Sequence, residues 1–77
     1  MHLAIVKRSV KDLIHRKYVI RFCAEKFFIT DDFEHFCNSN ALPYEIWIEK
    51  IKKIIEERGV RRKKLANDFI KEVRGYL

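Results

Sequence analysis

Arg58, Arg61, Arg62, Lys63 and Lys64 crowd one short stretch of chain around the dipeptide Gly59-Val60. Cations this dense are the chemistry of a polyanion grip. Arginine presents a planar fork of N–H donors that matches a phosphate, and lysine adds a mobile point charge. The cluster falls where a helix is expected to begin. Positive charge there opposes the helix macrodipole, so the cluster is better explained by a partner than by stability. Asn67 and Lys71 lie further along the same face. Lys7, Arg8 and Lys11 form a second basic group. Together these residues are the expected nucleic-acid contacts, mostly to the backbone, with base reading left to the last helix if it occurs.

Other residue types with chemical potential are sparser. Cys23, His35 and Cys37, with Asp31 or Asp32, are candidate metal ligands by type. Their spacing does not match a zinc site, since no CxxC occurs and His-x-Cys is not a usual ligand pair. Burial of both cysteines as small hydrophobes is the expectation, and neither a metal nor a cofactor is implied. Tyr44 and Trp47 would stack on bases if exposed. Trp47 shares a helical stripe with Ile51 and Ile54, so it is expected in the core. There is no glycine-rich phosphate loop, no Ser-His-Asp order and no paired-carboxylate pattern, so an enzyme is not expected.

Composition sets the frame for these candidates. The 77 residues exceed the roughly 40 below which a metal or disulfide is usually needed, and fall short of two ordinary domains. One domain spanning 1–77 is expected. Hydrophobic residues at 48% argue against disorder, and two glycines with one proline argue against an all-β chain rich in turns. Low Gln, Ser and Thr beside abundant Lys, Glu, Arg and Ile resembles thermophile usage. No apolar run approaches the ~18 residues needed to span a bilayer. Met1–Val6 runs straight into Lys7-Arg8 without a leader-like core, so a cytoplasmic location with reduced thiols is expected.

The net charge of +6 is unevenly distributed. Residues 1–24 carry +5, residues 25–49 carry −5 and residues 50–77 carry +6. Two basic blocks flanking an acidic one fit a single polyanion-binding patch with the acids turned away. They also fit internal charge complementarity or opposite-sign self-association.

The elements that must position these residues read as helices. Leu3, Val6, Val10, Leu13, Ile20, Ala24 and Phe27 recur at three- and four-residue steps, with Lys17 on the skipped step. This predicts a long helix over about 3–29, weakest near Arg16-Lys17. Ile14, Tyr18 and Phe22 form a second stripe expected to widen its buried face. A β-hairpin around Glu25-Lys26 competes, because the flanking segments are rich in β-branched and aromatic residues. Thr30-Asp31-Asp32 reads as a helix start capped by a side chain, leading a short helix with Phe33, Phe36 and Cys37. Asn38-Ser39-Asn40 reads as a loop. Pro43 suits the first position of the next helix, which carries Trp47, Ile48, Ile51, Ile54 and Ile55 and ends at Arg58-Gly59 with glycine as the C′ residue. A last helix from Val60-Arg61 buries Leu65, Ala66, Phe69, Ile70 and Val73, stops at Gly75, and turns Lys63, Lys64, Lys71 and Arg74 outward. The predicted fold is all-α, a small bundle of about four helices. Because so small a bundle leaves part of its seam uncovered, a homodimer is expected.

Two resemblances follow from these residues. Residues Ile54 to Tyr76 resemble a helix-turn-helix, with Gly59, Val60 and Leu65 at the positions where that motif has its glycine and two apolar residues. The resemblance implies that the second helix enters a DNA major groove. Ile55 replaces the motif's small residue, and Arg58 and Asp68 replace apolar ones; an ordinary αα-hairpin is the competing description. Arg8 and His15, with six residues between them and Ser9 beside the arginine, resemble the Arg-x(4–6)-His signature of HEPN-type ribonucleases. That resemblance implies an acid–base pair on one helix face at a dimer interface. The expectation from all of this is a small basic nucleic-acid-binding protein, regulatory or architectural. A helical adaptor or inhibitor, using the apolar seam and the acidic middle, is the alternative.

Overall fold

A computed structural model describes residues 3–75. Among them there are five α-helices and no strand: α1 (Leu3–Asp12), α2 (Tyr18–Ile29), α3 (Asp31–Ser39), α4 (Tyr44–Glu56) and α5 (Gly59–Arg74). The fold class is all-α as predicted, with one more helix than the four expected. The hairpin around Glu25-Lys26 does not form, and both residues lie inside α2. The radius of gyration, 11.5 Å, is what a close-packed chain of this length has.

The extra helix comes from a break in the long N-terminal helix. Leu3, Val6 and Val10 are fully buried on α1, and Leu13 continues their stripe just past its end. There the hydrogen bonding tightens: Leu13, Ile14 and His15 donate to the carbonyls three residues back, at 3.1 Å each. The freed backbone groups then find side chains. His15 Nδ1 accepts from the Lys17 N–H at 3.0 Å, and Arg21 Nη1 donates to the His15 carbonyl at 2.7 Å. The break therefore covers 13–17 rather than Arg16-Lys17 alone, and α2 leaves in a new direction.

That redirection changes which face of α2 is buried. Ala24 and Phe28 are its core residues, with Phe27 packed alongside. Tyr18 and Phe22, expected as a second buried stripe, are 65% and 44% exposed. They lie on α2, whereas the first half of the seam, Leu3 to Leu13, stays with α1 and the turn after it.

Each helix packs on its neighbour in sequence, and α1 closes the ring onto α5. Among the described residues, seventeen buried ones form one core cluster, with Trp47 and Phe69 meeting edge to face at 5.5 Å between centroids. A second aromatic knot joins α2 to α3, where Phe28 and Phe33 meet at 4.9 Å. The Lys50–Glu72 ion pair links α4 to α5.

Four local expectations are corrected. Asn38 and Ser39, expected in a loop, are the last residues of α3, and Asn40 follows as its cap. Thr30 does stand at the start of α3, but its side chain caps nothing there; Oγ1 donates backward to the Lys26 carbonyl at 2.8 Å. Asp31, Asp32 and Glu34 still sit in the first turn of α3, where they favour the dipole. Pro43 is the residue before α4 rather than its first residue, and its carbonyl accepts from Trp47 N–H at 3.0 Å. Gly59 has the expected positive φ, 61°, yet it opens α5 instead of closing α4, which already ends at Glu56.

Candidate functional site

Both α2 and α5 pack on α1, but they make no close backbone contact with each other. The space between them, floored by Leu13 and Ile14, is a cleft of about 320 Å³. Its remaining walls are His15, Arg16, Arg21, Arg58, Gly59, Arg62 and Lys63. Five of these side chains carry a fixed positive charge, and none of the lining residues is acidic.

Each cation arrives by a separate local cause. His15 and Arg16 are delivered by the break after α1. Arg21 lies one turn into α2, held by its bond to the His15 carbonyl. Arg58 is the extended residue just before α5, and Gly59 takes the left-handed turn that starts the helix. Arg62 and Lys63 follow on its first turns. No acid occupies the first turn of α5, and Arg58 provides no side-chain cap. The leading N–H groups of a helix have no intrahelical acceptor, so this end of α5 adds positive field to the cleft.

Arg62 is largely buried, with only 11% of its side chain in contact with solvent. Its Nη2 stands 3.9 Å from Glu25 Oε1 on α2, close enough for attraction and too far for a hydrogen bond. Nε and Nη2 are buried with no hydrogen-bond partner, which leaves Nη1 as the nitrogen with access to solvent. Burial pushes the Arg62 pKa down from the usual guanidinium range; Glu25 pulls it back up, and Arg21 and Arg58 push it down further. Glu25 therefore offsets only part of the cost of holding this partly desolvated cation near Arg21 and Arg58.

The expected contact residues divide into four groups. Arg58, Arg62 and Lys63 meet in the cleft. Lys63 also borders a shallow depression along α5 with Val60, Lys64, Asn67, Asp68 and Lys71, so Lys64 and Lys71 extend the same basic surface. Arg61 turns away into an exposed ion pair with Glu57 at 3.3 Å. Lys7, Arg8 and Lys11 lie on α1 and do not line the cleft.

Arg16, Arg21 and His15 were not singled out as contacts from sequence. Their basic block was visible, but only the helix break turns it toward Arg58 and Arg62. The break also removes the premise for pairing Arg8 with His15. Arg8 is on α1, His15 lies beyond its end, and the two do not share a helix face.

The helix-turn-helix resemblance fares unevenly. A short turn, Glu57-Arg58, does join two packed helices. Val60, at one of the motif's apolar positions, is 87% exposed, and Leu65 is half-buried. Tyr76 lies outside the described residues.

Trp47 is fully buried, as expected, and Tyr44 packs against Phe33 at 5.7 Å. Cys37 is buried, but Cys23 is exposed, contrary to expectation, because it faces outward on the redirected α2; neither is in a disulfide. Among the described residues no three His, Cys, Asp or Glu side chains come together to hold a metal ion. No described helix is long and apolar enough to cross a membrane. No family model matches this chain, and no curated protein or solved structure matches it either.

Proposed function

We propose that this chain is a small, non-enzymatic nucleic-acid-binding module that grips phosphates with the basic turn 58–64. The observation that carries the reading is the meeting of the two basic blocks of sequence in one cleft. Arg16 and Arg21 come from the first block, Arg58, Arg62 and Lys63 from the last. Charges of one sign converge between two helices whose backbones do not come close and which meet through the Arg62–Glu25 pair. Their mutual repulsion, and the partial desolvation of Arg62, are offset by a phosphate. Lys64 and Lys71 continue the track along α5. The reading also takes the protein to be cytoplasmic.

Binding of a labelled oligonucleotide, followed by fluorescence anisotropy, tests this. The expected result is micromolar or tighter affinity at low salt, falling steeply as salt rises. Replacement of Arg58, Arg61, Arg62, Lys63 and Lys64 by Gln should abolish it while the helical circular dichroism persists. Absence of binding by the unaltered protein at low salt would refute the reading.

A second reading draws on a different observation. Tyr18, Val19, Phe22 and Ile29 leave exposed apolar surface along α2, with Ile5 on α1 and Ile46 on α4 also exposed. Such surface suits an adaptor or a homodimer. Sedimentation of the protein alone tests the homodimer: a concentration-dependent rise in mass would support it, and a monomer at high micromolar concentration would exclude it.

A further inference from the structure

The exposed aromatics of α2 sit beside the cleft, and Arg21 joins the two. Tyr18 and Phe22 are one helical turn apart, with ring centroids 6.0 Å apart and planes inclined by only 23°. Both are well exposed. A cation attends each ring. The Arg21 guanidinium carbon lies 5.8 Å from the centre of Tyr18, and Lys26 Nζ lies 5.4 Å from the centre of Phe22. The same Arg21 lines the cleft, and its Nη1 donates to the His15 carbonyl. Phosphate-binding cations and near-parallel rings thus form one continuous strip, from Arg58 and Arg62 through Arg21 to Tyr18, Phe22 and Lys26.

We infer that this strip selects single-stranded nucleic acid, with backbone phosphate in the cleft and unpaired bases stacked on Tyr18 and Phe22. The inference rests on the nucleic-acid reading above and names its substrate class. Every base has a π-face, so an aromatic platform beside a positive groove holds single strands with little regard to sequence. A duplex keeps its base faces stacked inside the helix and cannot offer them. Charge complementarity decides against the main competitor. A second copy of this chain, docked symmetrically through α2, would bring Arg21 and Lys26 toward their own equivalents, with Arg16 and Lys17 close by. Glu25, the acid on the same helix, already lies 3.9 Å from Arg62.

The test compares three probes of equal length: oligo-dT, an abasic oligonucleotide with the same phosphates, and a mixed-sequence duplex. It uses the full chain and two double variants, Tyr18→Ser with Phe22→Ser and Tyr18→Leu with Phe22→Leu. Both sites are exposed, so the helical signal and melting temperature should hold. The expected result is oligo-dT bound about tenfold or more tighter than the abasic strand, and tighter than the duplex. Both variants should lose that excess and keep the abasic affinity. The leucine variant preserves apolar area, so its failure identifies stacking. Equal affinity for oligo-dT and the abasic strand would overturn the platform and leave the phosphate reading intact. Failure to bind any probe would overturn both. Self-association that disappears in the serine variant, with oligonucleotide binding unchanged, would make this face a protein interface and overturn the inference.

Discussion

Arg62 shows most clearly what a single side chain contributes. A guanidinium with two buried, unpartnered nitrogens lowers stability, and Glu25 at 3.9 Å compensates only in part. Arg62→Met keeps the apolar stem and removes the charge. Thermal melting should show stability unchanged or raised by up to about 1 kcal/mol, while affinity for a single strand falls. A variant that loses stability and keeps affinity would contradict the role given to Arg62. The cysteines offer a second check. Burial pushes the Cys37 thiol up to about 11 from 9.0, whereas Cys23 is exposed. A thiol reagent should label one cysteine in the folded protein and two after denaturation. The sign for stability follows from the same shift. The folded state holds the Cys37 proton more tightly, so its contribution is intact below pH 9.0 and is lost as the pH rises toward about 11. Urea midpoints should fall over that interval, and less so in Cys37→Ala.

Helices and their ends explain why part of this structure was legible in the sequence and part was not. Periodicity located α4 and α5 to within a residue or two, because their apolar stripes are long and uninterrupted. It also placed Leu3, Val6, Val10 and Leu13 correctly in the core. It ran α1 and α2 together because no glycine or proline marks the break. What ends α1 is a tightened last turn, with His15 and Arg21 taking the backbone groups that are set free. Those partners exist only once α2 has turned, so no local pattern announces them. The cleft inherits this limit: the basic turn 58–64 was legible, while the half supplied by His15, Arg16 and Arg21 was not. Helix ends also yield two stability predictions. After α3, Leu42 N–H donates to the Cys37 carbonyl at 2.9 Å, and Ala41 sits at φ 55°, the left-handed C′ position that favours glycine. Ala41→Gly should stabilise the protein by about 0.5–1 kcal/mol in urea unfolding. Gly59 has open space around its Cα but a φ of 61°, so Gly59→Ala should cost about 1 kcal/mol through backbone strain alone.

At the scale of the whole molecule, the sequence of basic, acidic and basic blocks becomes a spatial arrangement. The acids Asp31, Asp32 and Glu34 open α3, which packs on α2 and α4 and not on α5. The two basic blocks meet on the opposite connection, where α1 closes onto α5 and α2 stands off from it. The core needs no help from this arrangement, since Trp47, Phe69 and the aliphatic residues around them close the ring of helices. The charge layout is then free to serve a partner. The most direct test of that claim is the salt dependence of single-strand binding, measured for the unaltered protein and for Arg16→Gln, Arg58→Gln and Lys63→Gln combined. All three side chains are exposed, so the fold should survive. If about five phosphates are neutralised, the logarithm of affinity should fall with the logarithm of salt at a slope near −3.5, and the triple variant should flatten it by about 2. An unchanged slope and affinity in the variant would contradict the cleft as the site of phosphate binding.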